Sequence, residues 1–171
     1  MKIIMITGLP GTGKSTFAQT LAGAIGARHL NTDIIRDAMG KRGQYDADTK
    51  AIIYAEMLRQ TGLLLENDTD VIIDGTFYQK KLRQPYILLA KKYKAAMYWI
   101  ETAANEEVIR ERVSCCREYS EADFAVYLQI KSQYEPLNIP HLVLHSDQLS
   151  IAEMLENAVN YLKNNKLKIE N

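Results

Sequence analysis

Gly8-Leu9-Pro10-Gly11-Thr12-Gly13-Lys14-Ser15-Thr16 is the stretch that decides how this chain folds. It follows a strand-like apolar run, Ile3-Ile4-Met5-Ile6, and opens a helix-like one, Phe17-Ala18-Gln19-Thr20-Leu21-Ala22. The pattern G-x-x-x-x-G-K-[ST], placed between strand and helix, is that of a phosphate-binding loop. Glycines let the backbone wrap closely round an anion, and the free N–H groups at the helix N-terminus sit at the positive end of its dipole. Gly8, Gly11, Thr12, Gly13, Lys14, Ser15 and Thr16 are therefore expected to hold a nucleoside triphosphate. Lys14 is expected at the β- and γ-phosphates, and the Ser15 hydroxyl on Mg²⁺.

Beyond the loop, Ala27–Asn31 reads as a second short strand, and residues 34–39 as one or two helical turns stopped by Gly40. From about Asp48 to Asn67 apolar residues recur at helical spacing (Ile52, Ile53, Met57, Leu58, Leu63), with Asp48 as N-cap. Val71-Ile72-Ile73-Asp74 is a continuous apolar run, as in a strand buried on both faces. A helix is expected from about Gln79 to Tyr93, kinked or split at Pro85, then a strand over Ala95–Ile100. Helices over Asn105–Cys116 and Glu121–Tyr134, a strand His141–His145 and a helix Ser150–Leu162 follow, with a polar tail expected to fray. Alternating strands and helices predict an α/β fold with a parallel sheet wrapped on both faces. Ligands of such sheets bind outside the C-terminal strand ends, where Gly8, Asp33 and Asp74 all fall.

The length of 171 residues fits one domain, with 47% apolar and 25% charged residues. No apolar run reaches the length of a membrane span, so no membrane partner is expected. Met1-Lys2 leads straight into the first strand, leaving no room for a cleaved signal. Adjacent Cys115 and Cys116 suit neither a structural disulfide nor a metal framework, and point to a reduced, cytoplasmic setting. The three histidines, His29, His141 and His145, sit in apolar runs without metal-ligand spacing. Zero formal net charge argues against wholesale electrostatic capture of nucleic acid. The charges nevertheless segregate: residues 79–117 hold nine Lys or Arg against four Asp or Glu, and residues 118–160 one against seven. Such a basic strip can hold the triphosphate, a charged substrate or both, although solvated helix faces account for part of it.

Asn-Lys-x-Asp, which reads guanine in many GTPases, occurs nowhere, and the chain is too short for a large mechanical ATPase. Asn31-Thr32-Asp33-Ile34-Ile35-Arg36 places an acid and an arginine on one helical face. Phosphoryl transfer to an alcohol needs a carboxylate to take the hydroxyl proton and cations to neutralise the moving charge. Asp33 suits the first role, and Arg36 suits bidentate binding of a substrate phosphate. Alternatively, Asp33 caps the following turn and Arg36 pairs with Asp37 or solvent. Asp74 suits a water of the Mg²⁺ shell, or else caps the Gly75–Phe77 turn. Arg83 is placed either at the acceptor phosphate or on the surface.

These stretches, Gly8–Thr16, Asn31-x-Asp33-x-x-Arg36 and the strand ending Asp74-Gly75-Thr76, together resemble the small P-loop kinases that include polynucleotide 5′-hydroxyl kinases. The resemblance continues through Arg83, Glu106–Arg112 and Ser120-Glu121-Ala122-Asp123, to about Leu137. It implies a three-layer sandwich with five parallel strands in the order 2-3-1-4-5, a single domain over 1–171 and a helical lid near residues 110–124. It implies that Asp33 is the general base and that Arg36 binds the acceptor's phosphate. Lid arginines of such kinases stabilise charge on the β- and γ-phosphates. Arg112 is the first choice for that role and Arg117 the second, because the usual Arg-x-x-x-Arg spacing fails here: Cys116 stands four residues after Arg112. The implied activity is ATP- and Mg²⁺-dependent transfer of the γ-phosphate to a hydroxyl, leaving ADP, with a polynucleotide 5′ end as the leading acceptor. A small-molecule alcohol is the alternative, and a nucleotide-binding module without an acceptor is a third reading.

Overall fold

The computed structural model describes residues 1–114 and 124–164. Cys115, Cys116, Arg117, residues 120–123, most of the expected lid and the tail beyond Asn164 lie outside the described residues. Five strands, β1 (Lys2–Thr7), β2 (Arg28–Asn31), β3 (Val71–Asp74), β4 (Ala96–Ala103) and β5 (Leu142–His145), form one sheet. All neighbours are parallel, in the order β2-β3-β1-β4-β5 that the resemblance implies. Seven helices among the described residues connect them: α1 (Lys14–Ile25), α2 (Thr32–Ala38), α3 (Ala47–Glu66), α4 (Lys80–Tyr93), α5 (Glu106–Ser114), α6 (Phe124–Ser132) and α7 (Ile151–Asn164).

The apolar run of β1 explains its central position, because alternate side chains are buried on opposite faces. Ile3 and Met5 join Ile53 and Met57 of α3 and Tyr86 of α4. Ile4 and Ile6 join Phe17 and Leu21 of α1 and Met154 of α7. Each such fully buried side chain stabilises the fold by about 1.5–3 kcal/mol. A third cluster, Ile109 and Val113 of α5 with Tyr127 of α6, packs on Leu9 of the phosphate loop. A cavity opens at the C-terminal strand ends, with Arg112 of α5 and Val126 and Ile130 of α6 along one side.

Several boundaries differ from the sequence-based expectation, each for a local reason. Gly13 (φ 82°) is the N-cap of α1, so the helix begins at Lys14 rather than Phe17. Asp46, not Asp48, caps α3, its carboxylate accepting the Thr49 N–H at 2.9 Å. Asp48 instead lies in the first turn, where its charge meets the positive end of the dipole. α4 runs unbroken through Pro85, which lies early in the helix and forfeits one main-chain bond. The Glu135 carboxylate accepts the Lys80 N–H and so caps α4 from outside the helix. β4 extends to Ala103 and buries Thr102 beneath the phosphate loop. His141 falls just before β5, and its Nε2 lies 3.3 Å from the Glu101 carboxylate.

Candidate active site

At Gly8 (φ 141°) an added Cβ would stand 2.3 Å from the Thr102 carbonyl oxygen, so only glycine lets the chain leave β1 so close to β4. Thr12 Oγ1 donates to the Leu9 carbonyl at 2.8 Å and lies 2.8 Å from Thr102 Oγ1. Gly8 and Thr12 therefore brace the loop from beneath. Gly11, Gly13, Lys14, Ser15 and Thr16 line the cavity in front of it. Lys14 Nζ donates to the Leu9 carbonyl at 2.9 Å, folded over the loop it serves. At Gly11 (φ 84°) a Cβ would stand 2.9 Å from Val113, because α5 presses directly on the loop.

The cavity measures about 710 Å³ and two contact groups line it. At the nucleotide end Arg112 donates to Ser146 Oγ (2.8 Å), the Ser146 carbonyl (3.0 Å) and the Gly11 carbonyl (3.4 Å). It ties the β5–α7 connection to the loop, with the apolar side chains of Leu149 and Met154 alongside. At the other end stand Asp33, Arg36, Tyr45, Lys50, Tyr54, Thr76 and Tyr78, from α2, the α2–α3 connection, α3 and the β3–α4 turn.

Asn31 joins the two ends. It closes β2 and caps α2, its Oδ1 accepting the N–H groups of Asp33 (2.7 Å) and Ile34 (3.0 Å). Its Nδ2 donates to Ser15 Oγ (3.0 Å) and to Asp74 Oδ2. One carboxamide thus positions the loop serine, the β3 acid and the helix that carries Asp33. An Asn directly before a helical turn is an N-cap signal, which could have marked it in the sequence. The cap of α2 is therefore Asn31 and not Asp33.

Asp74 is wholly buried. Its Oδ2 takes Asn31 and lies 3.3 Å from His29 Nε2, while Oδ1 is buried with no partner. The carboxylate does not cap the Gly75–Phe77 turn. That turn is held by Phe77, a buried aromatic at φ 43°, wedged edge-on between Tyr54 and Tyr86. A bulky residue there stores roughly 1–3 kcal/mol of backbone strain, offset by packing. An unpartnered buried carboxylate oxygen, one amide away from the Ser15 hydroxyl, is a donor set that fits a hard divalent cation.

Asp33 pairs with Arg36 Nη1, and Asp37 turns to Arg42 instead (3.9 Å). Burial pushes the Asp33 carboxyl above the ordinary carboxylate value, with Arg36 the largest opposing influence. Asp74 adds to the rise and Lys14 lowers it, so Asp33 senses the phosphate loop electrostatically. Arg36 is 5% exposed, lies over the Tyr45 ring (4.4 Å to the centroid) and leaves its Nε without a partner. Arg83 is neither on the surface nor in the cavity wall, which corrects both placements read from the sequence. It is buried behind the wall and donates to the Glu135 carbonyl at 2.5 Å, fastening α4 to the segment after α6. Arg110 lies over Phe124 (4.0 Å) on the outer side of the α5–α6 pair.

A braced phosphate loop, a buried acid closing the adjacent strand and helices on both sheet faces define a P-loop nucleotide-binding protein of the kinase-like α/β fold. The AAA domain family (AAA_33) matches residues 3–137, and the chain belongs to that family. A sugar kinase from Janibacter sp. HTCC2649 is similar in structure, with a TM-score of 0.73 and 16% identity over 100% of this chain and 99% of that one. The Mycobacterium tuberculosis APS kinase CysC, solved with AMPPNP and APS, has a TM-score of 0.73 at 16% identity, covering 95% of this chain and 98% of that one. An uncharacterized protein of Mycobacterium tuberculosis is 29% identical over 125 residues, 66% of this chain. The match spans 25% of that curated relative's length. No helix among the described residues is long and apolar enough to cross a membrane.

Proposed function

We propose that this protein is a small-molecule kinase, moving the γ-phosphate of ATP to a hydroxyl group. The observation that carries the reading is Asp33: a carboxylate of raised proton affinity, in the same cavity as the phosphate loop and electrostatically linked to Lys14. In this reading Asp33 accepts the proton of the acceptor hydroxyl while that oxygen bonds to the γ-phosphorus. The bond from the γ-phosphorus to the bridging oxygen breaks, leaving ADP and a phosphate monoester, and the proton passes from Asp33 to solvent. Lys14 and the loop N–H groups meet the charge on the β- and γ-phosphates. Ser15 Oγ and Asp74, directly or through water, would hold Mg²⁺, which when bound neutralises and orients the phosphates. Arg112 would meet the nucleotide from the α5 side, and the lid role of Arg117 is proposed on the family resemblance alone. Arg36 would face the acceptor. A cytoplasmic location follows from the need for ATP.

A small acceptor is favoured over the polynucleotide end that leads on sequence resemblance. A cavity of about 710 Å³ is of the size that small-molecule sites occupy. The structural neighbours named for their substrates include a sugar kinase and a gluconokinase. Transfer of labelled γ-phosphate to a panel of sugars, nucleosides and 5′-hydroxyl oligonucleotides tests the reading. A small alcohol is expected to be labelled, and Asp33→Asn to lose transfer while still binding AMPPNP. Labelling confined to oligonucleotides, with affinity that falls steeply with salt, would reverse the choice of acceptor. Full activity in Asp33→Asn would remove the general base.

A further inference from the structure

The acceptor half holds one cation that the reaction as proposed does not use. Lys50 lies on α3 one helical turn before Tyr54, so the two share the face that lines the cavity. Its ammonium sits 6.0 Å from the centroid of the Tyr78 ring, at the outer limit of a cation–π contact. Among the described residues no carboxylate lies within ion-pair distance of it. Asp46, the N-cap of α3, spends its carboxylate on that cap, and its attraction for Lys50 is weaker than the opposing influences of burial and Arg36. Asp33 is taken by Arg36. The wall therefore carries two cations, Arg36 and Lys50, against the single carboxylate of Asp33. Burial, and next the repulsion of Arg36, both disfavour the charged form of Lys50. Two half-compensated cations facing one cavity are unfavourable until an anion sits between them, and Arg36 Nε is a buried donor still without a partner.

We propose that Lys50 and Arg36 form an oxyanion subsite in the acceptor half, and that Lys50 restricts the acceptor to small alcohols carrying a phosphate, sulfate or carboxylate group. The selectivity part rests on the kinase reading above; the subsite itself does not. Lys50 is then a specificity residue. A neutral alcohol leaves its charge uncompensated, whereas an anionic one gains a charge-assisted contact from each cation.

The test has two arms. In the first, ¹⁵N-labelled protein loaded with AMPPNP and Mg²⁺ is titrated with sodium sulfate, with sodium chloride at equal ionic strength as control. Saturable shifts of the amides around residues 46–54 are expected with sulfate only. The sulfate affinity should fall by roughly 10- to 100-fold in Lys50→Gln and be largely restored in Lys50→Arg. Thermal stabilisation by AMPPNP checks that each variant is folded. A response to sulfate no different from chloride, or an equal affinity in Lys50→Gln, overturns the subsite. In the second arm, a phosphorylated alcohol and its unphosphorylated parent are compared as acceptors. Lys50→Gln should lower kcat/KM for the anionic member by the same factor and so narrow or erase its preference over the neutral one. Equal use of both by the wild type overturns the selectivity. Absence of transfer to any alcohol, with sulfate binding intact, overturns the kinase reading and leaves the subsite standing.

Discussion

The two halves of the cavity are built from different material. The nucleotide half is backbone: a contiguous loop whose glycines adopt positive φ, with N–H groups supplied by the start of α1. Its supporting side chains are engaged with one another, Thr12 with Thr102, Ser15 with Asn31, Arg112 with Ser146. The proposed acceptor half is side chain, assembled from α2, the α2–α3 connection, α3 and the β3–α4 turn, with Arg36 Nε unpartnered there as Asp74 Oδ1 is beside the loop. A backbone cradle reads the charge pattern shared by all nucleoside triphosphates. A side-chain cradle is shaped by whichever helices converge on it, and this is the half that can differ between relatives of one fold. Specificity should therefore reside at the acceptor end and binding strength for nucleotide at the loop.

The sharpest break in that comparison comes from Asp33→Asn. Loss of a general base should lower kcat by roughly 10²–10⁴-fold, measured by γ-phosphate transfer, while AMPPNP affinity from calorimetry stays within about threefold. A parallel collapse of nucleotide affinity would show that the halves are one unit. Gly8→Ala makes the opposite cut. Its methyl group meets the Thr102 carbonyl in a backbone conformation that disfavours alanine. Strain of about 1–3 kcal/mol at the loop should weaken AMPPNP roughly 10- to 100-fold. Unaltered binding would mean that the loop is not held against β4.

Asn31→Ala strikes the joint between the halves. Loss of the α2 cap costs about 1 kcal/mol, and loss of the Asn31 bond to Asp74 Oδ2, which keeps only the longer His29 contact, about 0.5–1.5 kcal/mol more. Thermal unfolding should shift down by several degrees, and more Mg²⁺ should be needed for half-maximal transfer. An unchanged Mg²⁺ requirement would deny Asn31 its part in positioning Ser15 and Asp74.

The smallest effect is a pH shift. Because burial raises the Asp33 carboxyl, the acid limb of kcat/KM should lie above the ordinary carboxylate value, activity falling as pH drops through it. Arg36 lowers that value, so Arg36→Met should move the limb to higher pH. A move to lower pH would contradict the Asp33–Arg36 coupling. The linkage to stability has the opposite sense to that of an acid whose value is lowered on folding. A carboxyl whose folded value is raised destabilises the fold when ionised, and the penalty is relieved as pH falls through the folded value.

Much of this protein was legible before folding because the signals were local. Strand, glycine loop and helix follow one another within Ile3–Ala22, and the apolar runs Ile3–Ile6 and Val71–Ile73 can only be buried on both faces. Asp33, Arg36 and Asp74 stand out in the sequence because Asp74 closes one strand and the other two follow the end of another, and in a parallel sheet those ends share one side. Arg83 misled because a charged residue at the start of a helix looks solvent-facing or ligand-facing alike; only the path of the segment after α6 brings the Glu135 carbonyl to it. Lys50 carried no signal at all, being one lysine in a long amphipathic helix.

By itself the sequence determined the sheet, the phosphate loop and the class of ligand at the nucleotide end, because these depend on period, on glycine backbone freedom and on contiguous residues. The tertiary structure alone decided that Asn31 binds both halves together, that Asp74 keeps a free oxygen and that Lys50 stands near Arg36. Those facts arise from side chains far apart in the chain, and their charges interact strongly only where packing removes the water between them.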